Sequence, residues 1–379
     1  FMVFYGIIYA LLENDMRRIL AYSIVNQVGF MVIGIGIGTE MALNGAAAHA
    51  FTHIIYKALL LMSAGSVLMM TGKRKCSDLG GLFQSMPLTT ACGITGWGEC
   101  YAASVGPRAM EAVIRDVFER HMAGDSPENV ERMFRRAYSS GFTQRPDLTV
   151  MGAFSGLEIA CWDILGKSRD RPVWALMGGM MNERLRAYSY LYPLERHALP
   201  EFWVSPEMAA ESALDLVARG YTAVKFDPAG PYTMRGGHQP ALSDISMSMS
   251  FCEAIREAVG DRADLLFGTH GQFNTGGAIR LGQAIEEYQP LWYEEPIPPD
   301  NLLEFRKVAE AVRIPLATGE RLTTRAEFGT LLQSGGASIL QPALGRAGGL
   351  WETRKIAALA EHFNAQVAPH LYAGPVEWA

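Results

Sequence analysis

Several short apolar runs in the second half of the chain end in side chains that can carry a proton or a charge. VKFDP supplies Lys225 and Asp227, DLLFGTHGQ supplies His270, and LWYEEP supplies Glu294 and Glu295. PLATGE ends in Glu320, SILQP holds Gln341, and QVAPHLYAGP carries His370. Gathered at one mouth, such carboxylates would repel and raise one another's pKa unless a divalent cation neutralised them. A ligand set made of oxygens alone favours magnesium over zinc. Two imidazoles on opposite walls suit a dehydration, in which one takes a proton and the other protonates a leaving hydroxyl. Taken singly, each Glu reads as a surface salt bridge and each His as a structural residue. Their recurrence at the ends of apolar runs is what argues for chemistry.

The elements that must position them follow from the punctuation of the chain. The runs LRAYSYL, TAVKFD, DLLFGT, LWYEE, IPLATG, SILQP and AQVAP read as strands, separated by helical segments such as residues 206–218 and 301–312. Strand and helix units repeated in this order predict an α/β fold around a parallel sheet. In a barrel of such units the chemistry sits where the strands end.

SGLEIACWDILGKSRDRPVWALMGG, residues 155–179, closely resembles the segment that leads into the barrel in the mandelate racemase and muconate lactonizing branch of the enolase superfamily. Its apolar positions fall at helical spacing and read as packing. LWYEEP and PLATGE resemble the same family's metal-ligand positions at consecutive strand ends. The resemblance implies an incomplete TIM-type barrel of seven strand-helix units over residues 181–379, with a partial α+β capping domain over residues 93–180. It implies abstraction of a proton next to a carboxylate, with Mg2+ stabilising the enediolate. Glu294 and Glu320 would be ligands. The third ligand departs from the pattern, because Gly268 stands where relatives carry an Asp. Asp227, at a position where many relatives carry a catalytic lysine, could turn inward to complete the site, or water could fill the place.

By the same resemblance, His270 matches the histidine of acid-sugar dehydratases. His370 matches the acid-base histidine after the seventh strand, although Ala343 replaces the Asp that often orients it. Lys225 would neutralise the substrate carboxylate. Arg321 and Arg346 follow strands and could hold substrate oxygens. The insertion between Pro228 and Ser243, with Tyr232, Arg235 and His238, would cover the site and set substrate choice. His238 by itself reads as structural, and the insertion makes it a candidate substrate contact. The expected function is a metal-dependent hydro-lyase acting on an aldonate-like sugar acid. Racemization and cycloisomerization share the enolate step and stay open as alternatives.

The first ninety residues are of another kind. Ile19 to Gly38 is almost uncharged, and Met41 to Met70 has no Asp, Glu or Arg and a single Lys, Lys57. Each run is long enough to cross a bilayer as a helix of roughly 20 residues. Residues 1–12 look like the tail of another span. The expectation is two to three transmembrane helices, so the membrane would be a partner through residues 1–72. Arg17 and Arg18 precede the first full span, and Lys73, Arg74 and Lys75 follow the second, which puts both clusters and everything after them on the cytoplasmic side. His49, His53 and Lys57 recur every four residues on one helical face. Ionisable residues in hydrocarbon default to proton or ion pathways, against the plainer reading that they bond neighbouring helices. NDMRRILAYSIVNQVG, GAAAHAFTHIIYKALLLMSAG and GKRKCSDLGGLFQSMP resemble the proton-antiporter-type membrane subunits of multisubunit cation/proton antiporters and complex I. Lys57 would then be the lysine of the proton path.

MPLTTACGITG continues the antiporter pattern, whereas GITGWGEC is how the enzyme family turns between two capping strands; Gly93 to Gly96 satisfies both. No linker rich in Pro, Gly or Ser separates the halves, so residues 1–92 read as an antiporter fragment joined to the enzyme as a chimera. The family continues beyond GPVEWA to an eighth strand, so impaired activity is expected. A net charge of -6 gives no basic field for nucleic acid and leaves small molecules as partners. Five scattered cysteines, Cys76, Cys92, Cys100, Cys161 and Cys252, form no C-x-x-C pair and argue against a disulfide framework or a zinc site. The enzyme half alone is expected in the cytoplasm, with a homo-oligomer possible.

Overall fold

A computed structural model of the chain describes residues 2–13, 15–71, 84–101, 105–139, 147–230, 237–372 and 374–378. Tyr232 and Arg235, and the basic cluster of Lys73, Arg74 and Lys75, lie outside the described residues. The chain divides into two compact units, Phe1–Leu82 and Phe83–Ala379.

The first unit holds three helices, α1 (Met2–Leu12), α2 (Met16–Ile37) and α3 (Glu40–Thr71). Apolar residues without proline make these helices continuous, and small residues let them approach. A Cβ at Gly34 would stand 3.2 Å from both Ala42 O and Ala46 Cβ, so glycine permits the crossing of α2 and α3. The polar side chains find partners between helices. Asn26 Nδ2 donates to Val3 O (2.7 Å), His49 Nε2 lies 2.8 Å from Gln27 Oε1, and Lys57 Nζ donates to Ser23 Oγ (2.7 Å). Phe30, Val32, Ile33, Ile35 and Ile37 remain exposed on α2. Arg18–Ile37 is long and apolar enough to cross a membrane. The other expected span, residues 41–70, is one continuous helix within α3.

The second unit opens with an antiparallel hairpin of β1 (Gln84–Thr89) and β2 (Thr95–Cys100). Its turn closes through Thr90 Oγ1, which accepts from Ile94 N, while Gly93 takes φ 86°, the left-handed region that favours glycine. Helices α4 (Pro107–His121), α5 (Val130–Ser139) and α6 (Leu148–Arg169) pack beside it. A Cβ at Gly96 or Gly98 would collide with the carbonyls of Ala160 or Gly156, so the GWG triplet is what lets β2 lie directly on α6. Asp147 caps α6, accepting from Thr149 N and Val150 N. Met110, Phe134, Met151, Phe154 and Leu157 form the core of this layer. α6 is also apolar enough to span a membrane, yet 72% of it is buried inside the protein. Here it serves as a core helix.

After the short α7 (Val173–Leu176) comes a seven-stranded parallel sheet. In chain order it runs β3 (Ser189–Tyr190), α8 (Leu199–Phe202), α9 (Pro206–Ala218), β4 (Ala223–Phe226), α10 (Leu242–Val259), β5 (Asp264–Gly268) and α11 (Thr275–Ile285). It continues with β6 (Trp292–Glu294), α12 (Leu302–Ala311), β7 (Leu316–Thr318), α13 (Thr324–Ser334), β8 (Ile339–Leu340), α14 (Leu344–Ala347), α15 (Gly349–His362), β9 (Gln366–Val367) and α16 (Pro375–Trp378). Spatial order follows chain order from β3 to β9, and no pairing of β3 with β9 occurs among the described residues. Each helix returns the chain to the next parallel strand. Ser205, Asn274 and Asn301 start α9, α11 and α12 by accepting from Met208 N, Gly277 N and Leu303 N.

The strand period of two divides the side chains. Val224, Phe226, Leu265, Phe267, Tyr293 and Leu316 face the helices in the main core, with Phe267 edge-on to both Phe226 and Tyr293. Ala223, Leu266, Trp292, Ala317 and Ile339 form a separate inner cluster. Two residues beyond members of that cluster stand Lys225, Gly268, Glu294 and Gln341. The strand pleat therefore delivers them to the interior at its C-terminal end.

Candidate active site

Lys225 at the end of β4 and Glu294 at the end of β6 form a fully buried ion pair, Nζ to Oε1. Glu294 Oε2 accepts from Gln341 Nε2 (2.8 Å) and Trp292 Nε1 (3.1 Å). Burial alone would raise the Glu294 pKa, but the Lys225 ammonium and these donors hold it below the usual carboxylate value. Between the two strands lies Gly268, paired with Glu294 in the sheet. A Cβ there would stand 3.2 Å from Lys225 Cε and 3.3 Å from Phe226 O. The glycine thus makes room for the lysine stem, and an acid at 268 would have to displace it.

Asp227, one step past β4, turns its Oδ2 to His270 Nδ1 at 2.9 Å. Burial raises its pKa, and the imidazole opposes that rise. His270 follows Thr269, whose Oγ1 donates to Glu294 O and Glu295 O, and precedes Gly271, whose N donates to Glu295 O. The peptide on either side of the imidazole is therefore tied to the end of β6.

On the other side of the sheet, His370 Nε2 stands 3.1 Å from Glu320 Oε2, an ion-pair distance without the alignment of a hydrogen bond. His370 Nδ1 is buried without a hydrogen-bond partner, and Ala343 is buried and offers none. Burial, then the Lys225 charge, pushes the His370 pKa down to about 4. Burial raises Glu320, against the charge of His270. Arg346 donates to Glu320 O (2.7 Å), and its guanidinium lies 4.0 Å over the Tyr101 ring. That ring is also 5.9 Å from His370.

The other expected site residues sit differently. Arg321 is an ion-pair partner of Glu295, with Glu320 Oε1 at 3.6 Å, so much of its charge serves the framework. His238 bridges to Phe273 and packs its ring there, 5.4 Å away. Lys57, His53 and His49 belong to the first unit; the bonds of Lys57 and His49 are given above, and the buried His53 stacks its ring on that of His49, centroids 6.1 Å apart. Tyr101, Tyr188 and Tyr190 escaped the sequence reading. Tyr190 lies 5.5 Å below Lys225 Nζ, and a strand end carrying YSYLY was the available signal.

The described residues hold no group of three His, Cys, Asp or Glu that could grip a metal, and Asp227 is turned to His270. Two carboxylates and one amide nevertheless offer a hard cation oxygen. Glu320 Oε2 and Gln341 Oε1 are buried acceptors without a hydrogen-bond donor, and Glu294 lies beside Gln341. Buried acceptors left unmatched fit an incoming cation.

Residues 83–178 match the mandelate racemase/muconate lactonizing enzyme N-terminal domain, and residues 208–379 match the enolase C-terminal domain-like family. A D-gluconate/D-galactonate dehydratase of Picrophilus torridus is 33% identical over 296 residues, covering 77% of this chain and 71% of that protein. The chain belongs to the mandelate racemase/muconate lactonizing enzyme family. A solved family structure from Roseovarius sp. TM1035 shares 72% identity at a TM-score of 0.78, covering 81% of this chain and 76% of the other. A second, from Sulfitobacter sp., shares 73% at the same TM-score and coverage. A putative dehydratase from Salmonella enterica shares 31% with a TM-score of 0.72, covering 77% of this chain and 76% of that one. The second unit is thus an enolase-superfamily enzyme, and such enzymes generally bind Mg2+. Residues 1–99 match the NADH:quinone oxidoreductase/Mrp antiporter membrane family, which overlaps the enzyme match over residues 83–99.

Proposed function

We propose that the enzyme unit removes water from a sugar acid by first taking the proton next to its carboxylate. The observation that carries this reading is one set of buried and half-buried groups at the strand ends. Lys225 is the cation, Glu294 and Glu320 are the acids, and His270 and His370 are imidazoles on two walls. Lys225 and Arg346 supply positive charge to the substrate carboxylate, and the imidazoles are the acid-base groups. Glu294 and Glu320, with Gln341, would hold magnesium. Bound there, the ion would add positive charge where negative charge develops on the substrate carboxylate. The similarity to a D-gluconate/D-galactonate dehydratase favours an aldonate over a mandelate-like acid.

Incubating the full chain in mild detergent with magnesium and D-gluconate or D-galactonate tests this. The expected product is the 2-keto-3-deoxy acid, absent with Glu320→Gln. No product from a library of sugar acids would overturn it.

The overlap of two family matches over residues 83–99 favours a second reading for the first unit, a fragment of an antiporter subunit joined to the enzyme. Its Lys57, with His53 and His49, would belong to a proton path. Amplification across the join from source DNA tests the fusion, and a single continuous product would refute an assembly error.

A further inference from the structure

The family resemblance expects a histidine after the seventh strand with an aspartate behind it. Here the position behind His370 is Ala343, and His370 Nδ1 has no partner. An aspartate-backed imidazole does exist, on the opposite wall. Asp227 Oδ2 meets His270 Nδ1 at 2.9 Å, leaving Nε2 as the nitrogen not engaged by that carboxylate. The Asp227 side chain is 8% exposed, whereas that of His270 is 32% exposed, so the acid is hidden and the ring reaches solvent. The backbone on either side of His270 is tied to β6, as described above. A carboxylate bonded to Nδ1 fixes the tautomer with Nε2 as acceptor and stabilises the imidazolium that forms when Nε2 takes a proton.

We infer that His270, oriented by Asp227, is the group that removes the proton next to the substrate carboxylate, and that Asp227 is a positioning residue for it and not a metal ligand. This deepens the dehydratase reading and rests on it. In the step, His270 Nε2 takes the α-proton and the C–H electron pair moves into the enediolate. The enediolate then expels the β-hydroxyl, which receives the proton back from the imidazolium and leaves as water. One C–H and one C–O bond break, one water forms, and the remaining enol becomes the 2-keto acid without oxidant or reductant.

The test uses the full chain in D2O with D-gluconate or D-galactonate and follows deuterium entry at the α-carbon by NMR. His270→Asn and Asp227→Asn should each slow exchange roughly 10²- to 10⁴-fold, the usual worth of a positioned base. Asp227→Asn should lower kcat while leaving KM and calorimetric magnesium affinity unchanged, whereas Glu294→Gln weakens magnesium binding. His270→Gln replaces His270→Asn if the latter fails to fold. Exchange retained without the His270 imidazole, or magnesium affinity lost with Asp227→Asn, would overturn the inference. Nitrogen-15 spectra of the imidazoles separate the two levels of claim. If wild-type protein exchanges no sugar acid, the dehydratase reading fails. The Asp–His pair still stands or falls on whether the proton on His270 Nδ1 is present in wild type and lost in Asp227→Asn.

Discussion

The two walls of the site are built on opposite plans. On the β4–β6 side most of the polar groups pair with one another, Lys225 with Glu294, Glu294 with Gln341 and Trp292, and Asp227 with His270, and Asp227 Oδ1 is the buried oxygen there that no hydrogen bond reaches. On the β7–β9 side they are left short. Glu320 Oε2, His370 Nδ1 and Arg346 Nε are buried with no hydrogen-bond partner. Leaving buried polar groups unmatched costs about 1–3 kcal/mol each, so a site keeps them only where something is to arrive. One wall is mostly finished by folding, and the other awaits substrate and cation.

The strongest way to break that contrast is to unpair the finished wall. Glu294→Gln leaves the Lys225 ammonium buried beside a neutral amide, and breaking a buried pair in this way costs about 3–5 kcal/mol. The thermal midpoint by calorimetry should fall, and turnover should vanish. Removing both charges, Lys225→Met with Glu294→Gln, should restore much of the midpoint without restoring turnover. A midpoint unchanged in Glu294→Gln would mean that the wall does not depend on its pairing.

The unfinished wall should show itself in acid. The folded His370 pKa of about 4 lies below the ordinary value of 6.5, so between these two the unfolded chain binds a proton that the folded chain refuses. Stability contributed at this residue is therefore present above pH 6.5 and lost as pH falls toward 4, by an amount on the order of a few kcal/mol. Glu320, raised by burial, has the opposite slope, since a raised acid loses stability as pH rises. Denaturant unfolding of wild type and His370→Asn across that window isolates the imidazole. Parallel curves would show that His370 is not held neutral.

How much of this was legible in sequence depends on whether the signal was local. Each of the seven strands was, because an apolar run closed by a polar residue marks both a strand and its end, as in LWYEE and SILQP. The positions of Glu294, Glu320 and His370 at those ends follow from the same pattern. Pairings were not legible, since Lys225 meets Glu294, and Asp227 meets His270, only after parallel strands align them. Arg321 looked available for substrate because it follows a strand; the fold turns it toward Glu295 instead. α2 and α6 show the same limit. Both are 22 residues long and apolar, yet one keeps its isoleucines bare and the other is wrapped by β2, α4 and α15. Composition alone does not tell a bilayer from a protein core as the solvent of a helix.

The smallest effect should come from Tyr101, which reaches the unfinished wall from just beyond β2. Its ring lies under the Arg346 guanidinium and beside His370, and burial, then the charge of Arg346, governs its hydroxyl, whose pKa is raised. Tyr101→Leu removes the aromatic face but keeps bulk, and a partly buried cation–π contact is worth about 0.5–2 kcal/mol. Arg346 keeps its bond to Glu320 O, so it should loosen without leaving. If Arg346 holds substrate carboxylate, KM should rise by roughly two- to thirtyfold, the range implied by that energy, while kcat changes little. A fall in kcat with KM unchanged would place Tyr101 with the proton-transfer groups instead, and would mean that the unfinished wall is completed by the capping layer as well as by substrate.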